Sequence, residues 1–215
     1  MQRRITRIMF AALALVALVA GSAIAAPKSP KPGKGHPGIR LGVSKPKGGT
    51  TVLAVDSAVL SALTTANVTI TPSGTATASG TSFTFPISGG SIVYKKGNHG
   101  KGKGAKKKLL SGYILHAGSG LTLTKTTTTG PLSATISDFR ISLSAGKTGR
   151  LDVKLGKSKL KLATLSNVAV NATSKSISAT ATLTATAVTM LNSAFGTTLP
   201  KSGTVLGTLV ITPTF

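Results

Sequence analysis

The side chains able to do acid–base or metal chemistry are few: His36, His99 and His116, with Asp56, Asp138 and Asp152, and neither Glu nor Cys. No two histidines stand at metal-binding separation, and a zinc site needs three or four ligands at defined spacing. A Ser-His-Asp set can be drawn as Ser119, His116 and Asp138. Hydroxyls are so abundant that some Ser lies near any His, and no Gly-x-Ser-x-Gly elbow exists. Gly118-Ser119-Gly120 reads more economically as a turn. Paired-carboxylate hydrolysis, a carboxylate-rich metal cage and a thiolate nucleophile all need residues that the chain mostly lacks. The expectation is a protein with no catalytic residues and no metal site.

Against three acidic side chains stand 26 Lys and Arg, a formal net charge of +23. Such a balance points to anionic partners, or serves solubility alone. Gly100, Gly102 and Gly104 alternate with Lys101, Lys103 and Lys106 to Lys108, but the P-loop spacing fails and no α/β alternation surrounds it. Nucleic-acid binding would be salt-sensitive and blind to sequence, because aromatic residues for stacking make up only 4% of the chain. No specific nucleic-acid partner is expected.

The elements that must position these residues begin after an export signal. Residues 1–25 have a basic start (Arg3, Arg4, Arg7), an apolar run from Ile8 to Ala20, and small residues at Ala23-Ile24-Ala25. That is the build of a cleaved signal peptide. The competing reading, an uncleaved anchor, is short of a membrane span, and nothing later approaches one. A secreted or envelope-associated bacterial protein follows, and with no Cys it must be stable without disulfides. Residues 26–50 read as a disordered Pro/Gly/Lys linker, either a polycationic tether or a plain spacer.

From Thr51 to Phe215 the composition turns to Val, Ile, Leu, Ala, Thr and Ser, with recurrent turn signals. This predicts a single all-β domain, an antiparallel sandwich or barrel, with one or two short helices. Strands are expected at 68–71, 82–87, 91–95, 111–115, 120–125, 133–143, 163–172, 176–183 and 204–214, with the clearest alternation over 150–161, broken at Gly156. Alternation changes phase at Asp138, which predicts a bulge there. Asp56–Ala66 and Thr184–Phe195 have helical spacing, with Asp56 or Ser57 as a cap and Gly196 as a stop. Each then runs through a Pro/Ser/Gly loop into a strand, an echo consistent with an internal repeat or with low-complexity composition. Residues 95–108 read as a flexible Lys/Gly loop. Two glycosylation sequons, at Asn67 and Asn171, fall at or near strands and read as chance.

Gly112-Tyr-Ile-Leu-His116-Ala-Gly118-Ser-Gly-Leu121-Thr-Leu123, then Phe139-Arg-Ile-Ser-Leu143 and Leu151-Asp-Val-Lys-Leu155, resemble the HtaA domain of actinobacterial secreted and surface proteins. The tail from Ala187 to Gly207 is similar to that of related exported proteins. The resemblance implies a β-rich domain and, as in haem-uptake members, a Tyr that ligates iron with a His supporting it. His116 matches that His. The family's Tyr lies near the domain start, where residues 51–82 hold no Tyr, leaving Tyr94 or Tyr113 to substitute; otherwise His116 is a hydrogen-bonded turn histidine.

Two functions follow as expectations. In the first, the protein rests on an anionic cell-wall polymer or lipid surface through Lys101, Lys103, Lys106, Lys107, Lys108, Lys157, Lys159 and Lys161, with no cofactor. In the second, it binds haem or another small flat ligand near His116, Tyr94 and Tyr113. With so few carboxylates, the fold is expected to gain stability with salt and to be nearly indifferent to pH between 7 and 4.

Overall fold

The computed structural model describes residues 41–95, 108–171, 174–196 and 201–215. Twelve strands and two helices are described: β1 (Leu41–Ser44), β2 (Gly48–Val55), α1 (Ser57–Thr65), β3 (Val68–Gly74), β4 (Thr77–Ser79), β5 (Ser82–Pro86), β6 (Gly89–Lys95), β7 (Lys108–Thr127), β8 (Gly130–Ser144), β9 (Thr148–Leu155), β10 (Ser158–Asn171), β11 (Ser176–Leu183), α2 (Ala185–Phe195) and β12 (Val205–Thr214). The strands form one antiparallel sheet, ordered β1-β6-β7-β8-β9-β10-β11-β12-β2-β5-β4, with β3 against β7. The sheet is not closed and folds over itself as a sandwich-like domain, as the composition predicts.

Period-two patterning explains the layers. In β11, Ile177, Ala179, Ala181 and Leu183 are buried while the Ser and Thr between them are not. The same alternation buries Leu151 and Val153 on β9 and Leu209 and Ile211 on β12. Both helices cover this core at i, i+4 spacing, α1 through Val59 and Leu63, α2 through Ala187, Leu191 and Phe195. Asp56 caps α1 by accepting from the Ala58 N–H at 2.9 Å, and Thr184 caps α2 by accepting from Ala187 N–H at 3.1 Å. Gly196 ends α2 in the left-handed conformation.

Strand order begins earlier than the composition predicts. β1 and the start of β2 lie inside the span read as linker, so 26–50 is not linker throughout. Gly42 of β1 faces Tyr94 of β6, and Gly48 and Gly49 of β2 face Thr214 and Pro213 of β12. Pairing with strands from elsewhere in the chain, not local propensity, holds these glycines extended. Lys95 closes β6 and Lys108 opens β7, so both backbones belong to strands rather than to the loop between them.

β7 is the spine. The expected strands 111–115 and 120–125 are its two halves, joined through a bulge. Its first half pairs with β6 as far as Leu115 opposite Gly89. Its second half pairs with β3 from Ser119 opposite Gly74. Between them the register against β8 shifts from His116 opposite Phe139 to Gly120 opposite Ser137. Asp138, at φ 50°, is the β8 residue at that irregularity, where the change of phase predicts it.

Candidate functional site

The bulge of β7 is fastened from three sides. Ala117 N–H donates to Ser88 Oγ at 2.8 Å, Gly118 N–H donates to Asp138 Oδ1 at 3.1 Å, and the Gly118 carbonyl accepts from Thr75 N–H at 3.0 Å. Ser119, fully buried, shares a hydrogen bond with Thr75 Oγ1 at 2.8 Å. With every arm of the bulge tied, the His116 side chain is aimed inward, where it is 1% exposed.

His116 has both ring nitrogens engaged. Nδ1 lies 3.1 Å from the Phe139 carbonyl oxygen, which can only accept, so Nδ1 carries the proton. Nε2 must then accept, and Thr51 Oγ1, 2.8 Å away and also buried, donates to it. Phe85 presents an edge to the imidazole at 6.2 Å and packs against Phe139 at 4.5 Å. Burial pulls the imidazole pKa down to about 4, the Phe139 bond opposing it weakly. The centre is a neutral, fully bonded histidine in an apolar wall.

The drawn catalytic set is therefore not assembled. Ser119 bonds to Thr75, His116 to Thr51 and Phe139, and Asp138 to Gly118 and to Lys154 at 2.7 Å. Lys154 and the Gly118 N–H hold the Asp138 carboxyl below its usual range.

The three candidate ligand residues do not converge either. Tyr94 lies opposite Leu109 on β7, seven residues before His116, roughly 23 Å along an extended strand. Its ring covers Gly42, where a Cβ would meet it. Tyr113 points to the other side of β7 from the buried Ile114 and His116, and there the Arg140 guanidinium lies 4.6 Å over its ring centroid. Nor does the space beside His116 fit haem. It amounts to about 10 Å³, enclosed by Thr51, Leu53, Phe85, Phe139, Ile141, Leu151 and Leu209, room for one water at most.

Sequence reasoning missed Thr51, the partner that decides the state of His116. Its one signal is a hydroxyl at a core-facing position of an otherwise apolar alternation, Thr51, Leu53, Val55. Of the basic candidates, Lys157, Lys159 and Lys161 are exposed on β10 and the turn before it. Lys101, Lys103, Lys106 and Lys107 lie outside the described residues, as does the side chain of Lys108. A second concavity, an open groove of about 870 Å³, runs between α1 and α2 over Lys125, whose Nζ donates to the Phe195 carbonyl at 3.0 Å.

Compared with solved structures, the chain is similar to the C-terminal domain of HtaA from Corynebacterium glutamicum, with 20% identity, a TM-score of 0.52, and 81% of this chain covering 98% of that one. It is likewise similar to HtaB from Corynebacterium glutamicum, a heme-binding protein, with 16% identity, a TM-score of 0.51, and 81% of this chain covering 96% of that one. The domain has an HtaA-like fold. Compared by sequence, the chain matches no family model and no curated protein. The HtaA-like fold accounts for the β-rich domain that the His-turn resemblance implies. Within it, the histidine matched by that resemblance bonds to Thr51 and to the Phe139 carbonyl, not to Tyr94 or Tyr113.

Proposed function

We propose that this chain is an exported, non-enzymatic binding domain and that its ligand is haem or another flat anionic molecule. The observation that carries the reading is the fold shared, over most of both chains, with HtaB, a heme-binding protein. The locked state of His116, Ser119 and Asp138 agrees with binding rather than catalysis. With about 10 Å³ beside His116, the reading places the ligand away from that histidine. The test is an absorbance titration of the mature protein with haemin. A saturable Soret shift is expected, and a spectrum identical to free haemin at every ratio removes haem as the ligand.

A second reading has its own observation. Lys157, Lys159 and Lys161 stand exposed around the β9–β10 turn, and the two ion pairs among the described residues engage none of them. They would add to attachment on an anionic envelope polymer or lipid, each worth up to about 1 kcal/mol near an anionic surface. Co-sedimentation with anionic liposomes across salt tests this. Retention that does not change when the three are replaced by Gln removes it.

A further inference from the structure

The outer face of β6–β9 carries a cation that the fold leaves without a carboxylate. In register, Arg140 of β8 stands opposite Asp152 of β9. Asp152 nevertheless pairs with Arg150, Nε to Oδ2 at 2.8 Å. Asp138 pairs with Lys154, and Asp56 caps α1. All three carboxylate side chains of the chain are thus engaged elsewhere. The exposed Arg140 guanidinium lies against the Tyr113 ring at 4.6 Å. A cation–π contact occupies no N–H donor with an acceptor oxygen, so the guanidinium fork is available to a planar acceptor.

The cross-strand rows show what surrounds that fork. One row runs Ser91, Tyr113, Ser142, Arg150, and the next runs Gly89, Leu115, Arg140, Asp152. Half-buried Leu115 and Tyr113 offer an apolar and an aromatic surface beside the fork. Arg150 and Ser142 add donors one row away, about 7 Å along the strands. Glycine at 89 keeps the β6 side of Leu115 low.

We infer that this face is a binding site for a flat ligand bearing a carboxylate: Arg140 takes the carboxylate edge-on, and Tyr113 and Leu115 support the apolar body. The inference rests on the reading of the chain as a carrier of a flat anion, and it places that ligand on the opposite side of β7 from His116.

Four probes separate the parts of the claim: haemin, protoporphyrin IX without iron, its dimethyl ester without free carboxylates, and 2-naphthoate. Affinity is read by absorbance or fluorescence, and location by amide chemical shifts. Haemin and protoporphyrin IX are expected to bind, and the ester to bind much more weakly. Arg140→Gln is expected to weaken the carboxylate probes roughly tenfold to hundredfold. Arg140→Lys, which keeps the charge and loses the fork, should fall between. Shifts should centre on Ser91, Tyr113, Leu115 and Ser142. Unchanged haemin affinity in Arg140→Gln, or naphthoate shifts spread over the lysine-bearing turns, overturns the site and leaves the haem reading standing. Naphthoate shifts confined to this face and lost in Arg140→Gln, with no haemin binding, uphold the site and remove haem. Failure of all four probes removes both. Arg140 is exposed, so a melting curve suffices to show that the variants fold.

Discussion

Thr51 and His116, 65 positions apart in the chain, meet at 2.8 Å inside the domain, and their bond joins β2 to the bulge of β7. The imidazole is the donor to Phe139 and the acceptor from Thr51, so each partner satisfies a group that burial would otherwise leave bare.

Thr51→Val keeps the shape of the side chain and removes the donor. It is expected to destabilise the domain by about 1–3 kcal/mol, the cost of an unsatisfied buried acceptor. Thr51→Ser should lose much less. Urea unfolding at pH 7 checks both, and equal stability of the Val variant and wild type would show that the bond contributes nothing.

The same histidine makes stability depend on pH, against the expectation of indifference between pH 7 and 4. Burial lowers its pKa from 6.5 to about 4. The unfolded chain therefore takes up a proton between those values while the folded one does not. Stability is intact above pH 6.5, falls as the pH drops, and levels off near 4, a loss of about 3 kcal/mol at most. Asp138, also lowered, contributes stability present above its unfolded value near 4 and lost below it, outside this window. A melting series from pH 7.5 to 4 should slope in wild type and flatten in His116→Gln.

Gly74 and Gly156 have nearly the same backbone, φ 64° and 59°, in different surroundings. A Cβ on Gly74 would run into the Gly118 carbonyl, whereas Gly156 has nothing within 4 Å. Gly156→Ala should cost about 1 kcal/mol for the left-handed conformation alone. Gly74→Ala should cost clearly more, because the bulge must also shift. Thermal melts of the two variants isolate the steric part, and equal losses would deny it.

Neither helix has a basic residue in its last turn, but Lys125 reaches the C-terminal carbonyl of α2 from β7. Lys125→Met should destabilise by about 0.3–2 kcal/mol, with the loss concentrated in α2. Amide exchange is the measurement, and protection unchanged at Ala194 and Phe195 would sink the assignment.

Salt should raise the melting temperature. Among the described residues, both ion pairs are substantially exposed, while the chain carries +23. Screening therefore removes more repulsion than attraction. A midpoint that falls between low and moderate salt contradicts this.

What was legible in the sequence had local causes. β11 matches its expected span because its alternation is complete. Asp56 and Gly196 are legible because caps are chemistry of single residues. Asp138 is legible because one left-handed residue flips the phase of all that follow. β1 and the first residues of β2 were illegible because four residues of β1 and two glycines opening β2, set among Pro and Lys, are too short an alternation to read; only their distant partners make them strands. The site was less legible still. Tyr113 and His116 are three residues apart, but an odd separation on a strand puts them on opposite faces. Thr51 could be linked to His116 only once β2 and β7 were known to enclose the same core.

One feature of the sheet bears on when the molecule can form at all. β2, the second strand of the domain, pairs in full register with β12, the last, from Gly48 opposite Thr214 to Val55 opposite Gly207. The seam lies in the interior of the sheet, with β5 beyond β2 and β11 beyond β12. A chain emerging from its N-terminus thus leaves β2 without its central neighbour until the final ten residues arrive. Contacts of such long sequence separation slow folding. Any variant that shortens β12 therefore opens the sheet at its middle and leaves both β2 and β11 without a shared neighbour.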